Sequence, residues 1–461
     1  MTHPLKGFLF FQPGTLNPEP FNLFQNMSKF KITTLGCKVN QAESEAIAQN
    51  LMSSKWLTAG DLETADICIV NTCAVTQKAA MQSRQAVRRA IRANPSANIV
   101  VTGCYAQTAP QEIEMIEGVN YIVGHGEKHN IGRMICKAEM RAHGHTIAIG
   151  GGINKNRPFA SMSIANAVPR TRPFLKIQDG CDAFCTYCIV PHARGRSRSM
   201  PLEEVLANIG KLAKAGYREV VLTGIHLGVY GHDLFPKTNL ATAMERIAEL
   251  LPIDRVRLSS IEPFEITEKI IYQVVKSGIF CRHFHIPLQS GDPKILENMG
   301  RPYSPEFFDE LINKIHQIIP DAAIGVDALI GFPGESDSAF ENTYSLIKKL
   351  PISYLHVFPF SARPGTKAAD LPDKVDVSII KKRCERMRIL GNDKRKEFFR
   401  GFIGQVLPIL VETNREASTN LLKGISSNYV PVLIDAGDNL KNRIVDVKIE
   451  KHIGHHMFGT L

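Results

Sequence analysis

No apolar run in the 461 residues approaches the roughly 18 that a membrane-crossing helix requires. The longest, such as residues 219–225, have the length of buried strands, so no membrane span is expected. The opening MTHPLKGFLFFQPG has one lysine, a very short apolar patch and no small-residue cleavage site, a poor secretion signal that places the chain in the cytoplasm. There is no internal repeat and no low-complexity tract, so the length is not built by repetition. With 44% apolar and 22% charged residues, 34 Gly and 26 Pro, disorder and collagen are excluded too. Acidic residues are in deficit, 45 against 55 Lys and Arg, and the net charge of +10 points to a polyanionic partner. The 10 cysteines, in a long chain without a secretion signal, point to metal ligation or catalysis rather than disulfides.

The pattern divides the chain. Residues 1–28 lack any period and read as a disordered extension. From residue 29 to 149 the runs KITTLG, DICIVNT, NIVVTG and VNYIVG alternate with helical stretches at 41–51 and 77–91, the rhythm of a parallel α/β domain. Residues 150–172 read as a linker. Between 173 and 400 six strand candidates, PFLKIQDG, REVVLTGI, RVRLSSIE, RHFHIPLQ, AIGVDALIGF and YLHVFPF, suggest a partial (β/α)6 barrel, followed by a charged helix at 378–400. Residues 401–461 carry QVLPILVET, NYVPVLID and RIVDVKIE, which predict a small antiparallel β-barrel.

Cys181, Cys185 and Cys188, in CDAFCTYC, form a CxxxCxxC loop directly after the first barrel strand. Three thiolates in one loop hold three corners of a 4Fe-4S cluster and leave one iron open to a substrate or cofactor. A zinc loop is the alternative, although its usual spacing is CxxC. Cys37, Cys73 and Cys104 each lie just past a parallel strand, where strand ends converge on one edge, and could hold a second cluster. The alternative is three unrelated buried thiols. Cys68, Cys136, Cys281 and Cys384 read as structural.

With Tyr187 before its last cysteine, the loop resembles the signature of radical S-adenosylmethionine (SAM) enzymes. The segments TLGCKVNQAES, NTCAVT, TGCYAQ, CIVPHARGRSRS, LTGIHLGVYG, LSSIEP, HIPLQSG, GFPGES and SARPGT are similar to the methylthiotransferases of that superfamily over nearly all of residues 30–461. TLGCKVNQ and LTGIHLG resemble the branch that acts on N6-threonylcarbamoyladenosine in tRNA, whereas the isopentenyladenosine branch usually has GCQMN and the ribosomal-protein branch GCxKN. The resemblance implies two 4Fe-4S clusters, SAM, a tRNA substrate and an electron donor such as flavodoxin or ferredoxin. It implies that the cluster on Cys181, Cys185 and Cys188 reduces SAM to a radical that removes hydrogen from C2 of the adenine at tRNA position 37, next to the anticodon. The cluster on Cys37, Cys73 and Cys104 would carry the sulfur, methylated by a second SAM. Tyr187, Thr223, Gly224, Glu262 and Gln289 are candidate SAM contacts, and each could instead be a barrel-mouth residue.

Gly331, Pro333 and Gly334 read as a tight turn, and His283, His285 and His356 as core histidines. Arg194, Arg196 and Arg198, with Arg84, Arg88 and Arg92 on one helix face, suit RNA phosphates or a solvated face. The last domain, with Asn428 and Tyr429, resembles the OB-like TRAM module, where Tyr429 would stack on a base or fill a strand position. The sequence departs from the family in its first 26 residues, at Met200, where a basic residue is common, and at Ser336, usually Thr. Two other readings stay open: a methylthiotransferase of a ribosomal-protein Asp, and an RNA-binding iron-sulfur or zinc protein without catalysis.

Overall fold

Apolar strands bounded by turn residues, each followed by an amphipathic helix, fold here into two parallel α/β units and a closed β-barrel. The computed structural model describes residues 28–136, 147–149, 158–162, 170–250 and 252–461. The proposed extension therefore falls almost wholly outside the described residues, and so does most of the proposed linker.

The first unit is a six-stranded sheet, parallel throughout, with its strands in the chain order 2-1-3-4-5-6. The four strands read from the sequence are Lys29–Thr34, Ile67–Thr72, Asn98–Gly103 and Tyr121–Val123. Two short ones escaped notice, Leu57–Thr58 and Ile147–Ile149, because two or three residues carry no alternation. The order reverses between Lys29–Thr34 and Ile67–Thr72, and such a switch point opens a crevice at the C-terminal strand ends. Ile67–Thr72 is buried along its whole length, as a central parallel strand should be.

The second unit holds the six expected strands in two three-stranded parallel sheets. Phe174–Lys176, Glu219–Thr223 and Arg255–Leu258 form one; His283–Gln289, Ala323–Ile330 and Tyr354–Pro359 form the other. A single parallel bridge, Val256 to Phe280, joins them, so the six strands make an open part-barrel. Alternate residues such as Val220, Leu222, Val256, Phe284, Ile286, Ile324 and Val326 pack outward into the large core beneath the helices. Their neighbours Glu219, Arg257, His283, His285, Asp327 and Tyr354 are polar and point the other way, into the lumen. Helix starts follow local capping rules: Thr267, Asp292, Ser304 and Ser336 each accept a backbone N–H of the first turn. Ser336 thus does the work that the usual Thr would do, and Met200 is a core residue, 1% exposed.

The third unit is a closed five-stranded barrel. It departs from the antiparallel expectation at one seam: Pro431–Ile434 pairs parallel with His456–Thr460, because Ile444–Ile453 intervenes and reverses the chain. Leu422–Ser426 and His456–Thr460 are two further strands beyond the three that the sequence pattern predicts. The barrel sits under the lumen floor. Arg255 donates to the carbonyls of Pro408 and Ile425, and Arg257 to those of Ser426 and Ser427.

One buried ion cluster ties the first unit to the second. Arg194 donates to Glu43 at 2.9 Å, to Asp179 at 2.8 Å and to Asn40 at 2.6 Å. Lys176 and Lys128 also reach Glu43, and Arg198 reaches Asp179 at 3.0 Å. These cations hold the Glu43 carboxyl well below its usual value despite complete burial. Removing one partner strands the others in a medium of low dielectric, so Arg194→Met is expected to cost about 3–5 kcal/mol, read by chemical denaturation. The sign of the pH effect follows from the depressed value. Glu43's stabilisation is fully present above its unfolded value near 4.5 and is lost progressively as pH falls through the folded one. Glu43→Gln should flatten that acid dependence.

Candidate metal centres

Two of the three strand-end cysteines of the first unit, Cys37 and Cys104, are placed by the glycine before them. Gly36 and Gly103 have φ of +94° and +98°, a region that side chains rarely adopt. A Cβ on Gly36 would lie 2.9 Å from Cys73 Sγ, and one on Gly103 would lie 2.4 Å from the Thr72 carbonyl. Glycine therefore lets the loops before Cys37 and Cys104 close onto the end of Ile67–Thr72, where Cys73 follows. Cys37 caps the helix Lys38–Ser53 and is exposed, whereas Cys73 and Cys104 are buried. Cys73 lies close enough to Cys104 and Cys37 to feel their charge, and Cys104 to feel that of Cys37. Burial pushes the Cys73 thiol up to about 11.

The loop of Cys181, Cys185 and Cys188 leaves the strand pair Gln178–Asp179 and Arg198–Ser199. Cys181 Sγ accepts from Ala183 N–H and lies 3.4 Å from His226 Nδ1, and Arg301 donates to Cys185 Sγ at 3.3 Å. Burial and the two neighbouring thiols raise Cys188 to about 12, so without a metal this thiol stays protonated.

Both sulfur sets fit a cluster better than a single ion. Among the described residues neither triad has all its ligand atoms within 4.8 Å of one another. A tetrahedral zinc ion with bonds of about 2.3 Å would need sulfurs about 3.8 Å apart. Three soft donors set wider apart, with none of them in a disulfide, match three corners of an iron-sulfur cube. The compact triad is elsewhere. His285 and His356 both donate to Asp327, at 2.9 and 3.2 Å, and hold its carboxyl down to about 2.

Beside Cys185 opens a cavity of about 540 Å3, lined also by His226, Glu262, Phe264, Glu265 and Arg301. Of the SAM-contact candidates only Glu262 lines it, where it pairs with Arg301. Tyr187 packs edge-on against Phe332 in a satellite core, with centroids 6.5 Å apart, while remaining close to Cys185 and Cys188. Thr223 is buried at its strand end. A Cβ on Gly224 would lie 2.9 Å from Gln178 Oε1, so the glycine admits that side chain. Gln289 closes its strand at φ +66°, beside a bulge in the sheet. His226, Glu265 and Arg301 escaped the sequence reading. The first was visible within LTGIHLG, but nothing in the local pattern distinguishes the other two.

Residues 29–124 match the uncharacterized protein family UPF0004, and residues 175–347 match the radical SAM superfamily. A protein of Bacillus subtilis (strain 168) named threonylcarbamoyladenosine tRNA methylthiotransferase MtaB is 39% identical over 92% of this chain and 94% of its own. The chain belongs to the radical SAM methylthiotransferases. A relative from Pelotomaculum thermopropionicum, named tRNA-2-methylthio-N(6)-dimethylallyladenosine synthase, is 31% identical over 94% of this chain and 98% of its own. The radical SAM methyltransferase TsrM of Kitasatospora setae shares the fold, with a TM-score of 0.53 at 16% identity over 74% of this chain and 77% of its own. As a radical SAM enzyme the protein uses a 4Fe-4S cluster and SAM.

In this methylthiotransferase some residues read as RNA contacts lie elsewhere. Arg194 is 1% exposed and donates through its two terminal nitrogens to Glu43, Asp179 and Asn40, so it pins two units together, buried away from any phosphate. Arg198 is held by Asp179. Arg196 remains exposed, paired with Asp182 and stacked on Phe184. Arg84 is engaged by Glu112 and Tyr105, while Arg88 and Arg92 are exposed. Tyr429 lies in the turn before Pro431–Ile434 and fills no strand position. At φ +63° it turns up into the lumen floor, 4.4 Å from the His283 ring and 5.7 Å from that of Tyr354. Asn428, 3% exposed, bonds to the Asp321 carbonyl. His283 is the core histidine expected, bonded to Tyr354, but His356 is exposed, because its strand lies at the open edge of the part-barrel. Tyr429→Ala should uncover the Arg257–Glu219 pair and cost about 1–3 kcal/mol, less than a fully buried aromatic would, measured by denaturant unfolding. No helix among the described residues is long and apolar enough to cross a membrane.

Proposed function

We propose that this enzyme methylthiolates C2 of N6-threonylcarbamoyladenosine at position 37 of tRNA. The observation that carries the reading is the pair of three-thiol sets, each one ligand short of four, in separate α/β units joined by the Arg194–Glu43–Asp179 ion cluster. A lone electron-transfer centre has no use for two such sets, and an RNA-binding protein without catalysis has no use for either. The relatives that share most of the chain's length carry the tRNA methylthiotransferase name, which favours tRNA over a ribosomal-protein side chain.

On this reading Cys181, Cys185 and Cys188 hold the radical SAM cluster, and Cys37, Cys73 and Cys104 hold a second cluster at the switch point of the first sheet. The chemistry these groups supply when bound is reductive cleavage of SAM on one side and a sulfur atom on the other. The protein binds, orients and excludes water. Glu262 and Arg301 line the cavity beside Cys185 and offer the charges that an amino acid's amine and carboxylate need. Tyr187, Thr223, Gly224 and Gln289 shape the barrel mouth around it. The barrel under the lumen shuts its floor against water, which protects a radical reaction from quenching.

The three units divide the labour as residues 29–149, 173–400 and 401–461, with the last as a TRAM-like module and a small protein such as flavodoxin or ferredoxin as reductant, in the cytoplasm. The test is a nucleoside digest of tRNA from cells with and without the gene. Loss of the methylthio form with build-up of unthiolated threonylcarbamoyladenosine supports the reading; an unchanged digest refutes it.

A further inference from the structure

We infer that Lys38 reads the carboxylate of the threonylcarbamoyl group and thereby sets which modified adenosine the site accepts. The inference rests on the substrate reading above and adds the side chain that recognises that substrate.

A cavity of about 210 Å3 opens where the helix beginning at Lys38 meets the lumen wall at Phe174 and Val221 and the C-terminal barrel at Glu412 and Tyr429. Pockets for whole drug-sized ligands run to about 300–1,000 Å3, so this one suits a single amino-acid-sized substituent. Four cations line it: Lys38, Arg170, Arg172 and Arg257. Each arginine has its own carboxylate. Arg170 is paired with Glu45, Arg172 with Glu412 at 2.8 Å, and Arg257 with Glu219 at 2.8 Å. Lys38 makes no hydrogen bond or ion pair to any described residue. Asp327, whose charge it feels, is occupied by His285 and His356 and makes no ion pair with it. The cavity therefore presents one unmatched positive charge on walls whose other charges are neutralised, and that is a site for one monoanion.

Threonine joined through its amine to the carbamoyl carbon keeps a free carboxylate and a hydroxyl, so the substituent on N6 is a monoanion of amino-acid size. A dimethylallyl group there is neutral and gains nothing from an ammonium. Position supports the match as well. Lys38 follows Cys37, and N6 and C2 belong to one ring system, so a base whose C2 faces the thiol set brings its N6 substituent to the neighbouring lysine.

The test is binding of anticodon stem-loop RNA to the full-length, cluster-reconstituted protein, by fluorescence anisotropy at fixed salt. Three RNAs are compared, carrying threonylcarbamoyladenosine, its carboxyl methyl ester, or plain adenosine at position 37. The wild type should prefer the acid to the ester by about tenfold or more, the order of one charge-assisted hydrogen bond. Lys38→Gln should bind acid and ester alike, and Lys38→Arg should keep part of the preference. Equal wild-type binding of acid and ester overturns the inference without any appeal to a variant's folding. A Lys38→Gln protein with normal iron content that still prefers the acid overturns it while leaving the substrate reading intact. If the wild type binds all three loops alike, the substrate reading fails and the inference with it.

Discussion

Replacing Cys181, Cys185 and Cys188 together with Ala is expected to halve the bound iron and sulfide and to abolish deoxyadenosine formation from SAM under anaerobic, reducing conditions. The loss should be complete rather than graded. The three loop cysteines are the thiols assigned to that centre, so the variant keeps none there to hold a cluster. The loop cysteines lie outside the large barrel core, and Cys181 and Cys185 are only partly buried. The variant should therefore unfold near the wild-type temperature. Iron, sulfide and deoxyadenosine are assayed on the same reconstituted sample, and SAM cleavage by the triple variant would remove the assignment of the loop.

Changing Cys37, Cys73 and Cys104 to Ala is expected to give the complementary defect. Half the iron is lost again, but the protein still forms deoxyadenosine, while threonylcarbamoyladenosine in tRNA gains no methylthio group. The two sets lie in different units, and the ion cluster that joins those units contains no cysteine. Cys73 and Cys104 are buried, so circular dichroism must first show a folded variant. Alanine leaves only small cavities at these positions, and the mutual approach of the loops at Gly36 and Gly103 is retained. With that control in hand, full methylthiolation by the triple variant would mean that the sulfur comes from elsewhere.

A deletion of the third unit reaches into the second. Removing residues 401–461 would unseat an RNA-binding module only if that barrel stood apart. Here Arg255 and Arg257 lose their carbonyl acceptors, and the lumen floor opens at Tyr429. The truncated protein should lose SAM cleavage together with RNA affinity.

What the sequence made legible was whatever depends on local pattern. Strand-ending apolar runs followed by Gly-Cys located Cys37 and Cys104, because both the alternation and the left-handed glycine are local requirements. The six strands of the part-barrel were legible for the same reason. Burial of charge was not. Arg194 stands in a run of arginines that looks like a phosphate-binding patch, yet its partner Glu43 lies 151 residues away on another unit. Tyr429 and Lys38 were obscured alike: each reaches a lumen built by segments remote in sequence, the floor in one case and the wall in the other. Among the SAM-contact candidates, position at a strand end was a sound guide to the barrel mouth but not to the cavity beside Cys185, which loops such as that carrying Arg301 complete.

The central claim is tested most directly by incubating the purified, cluster-reconstituted protein with SAM, a reductant and tRNA bearing threonylcarbamoyladenosine, then digesting the RNA for mass spectrometry. The expected product is a nucleoside heavier by one methylthio group in place of hydrogen, with the methyl derived from labelled SAM and the substitution on the adenine ring. Deoxyadenosine release with no heavier nucleoside, from a protein that retains both clusters, would contradict the claim.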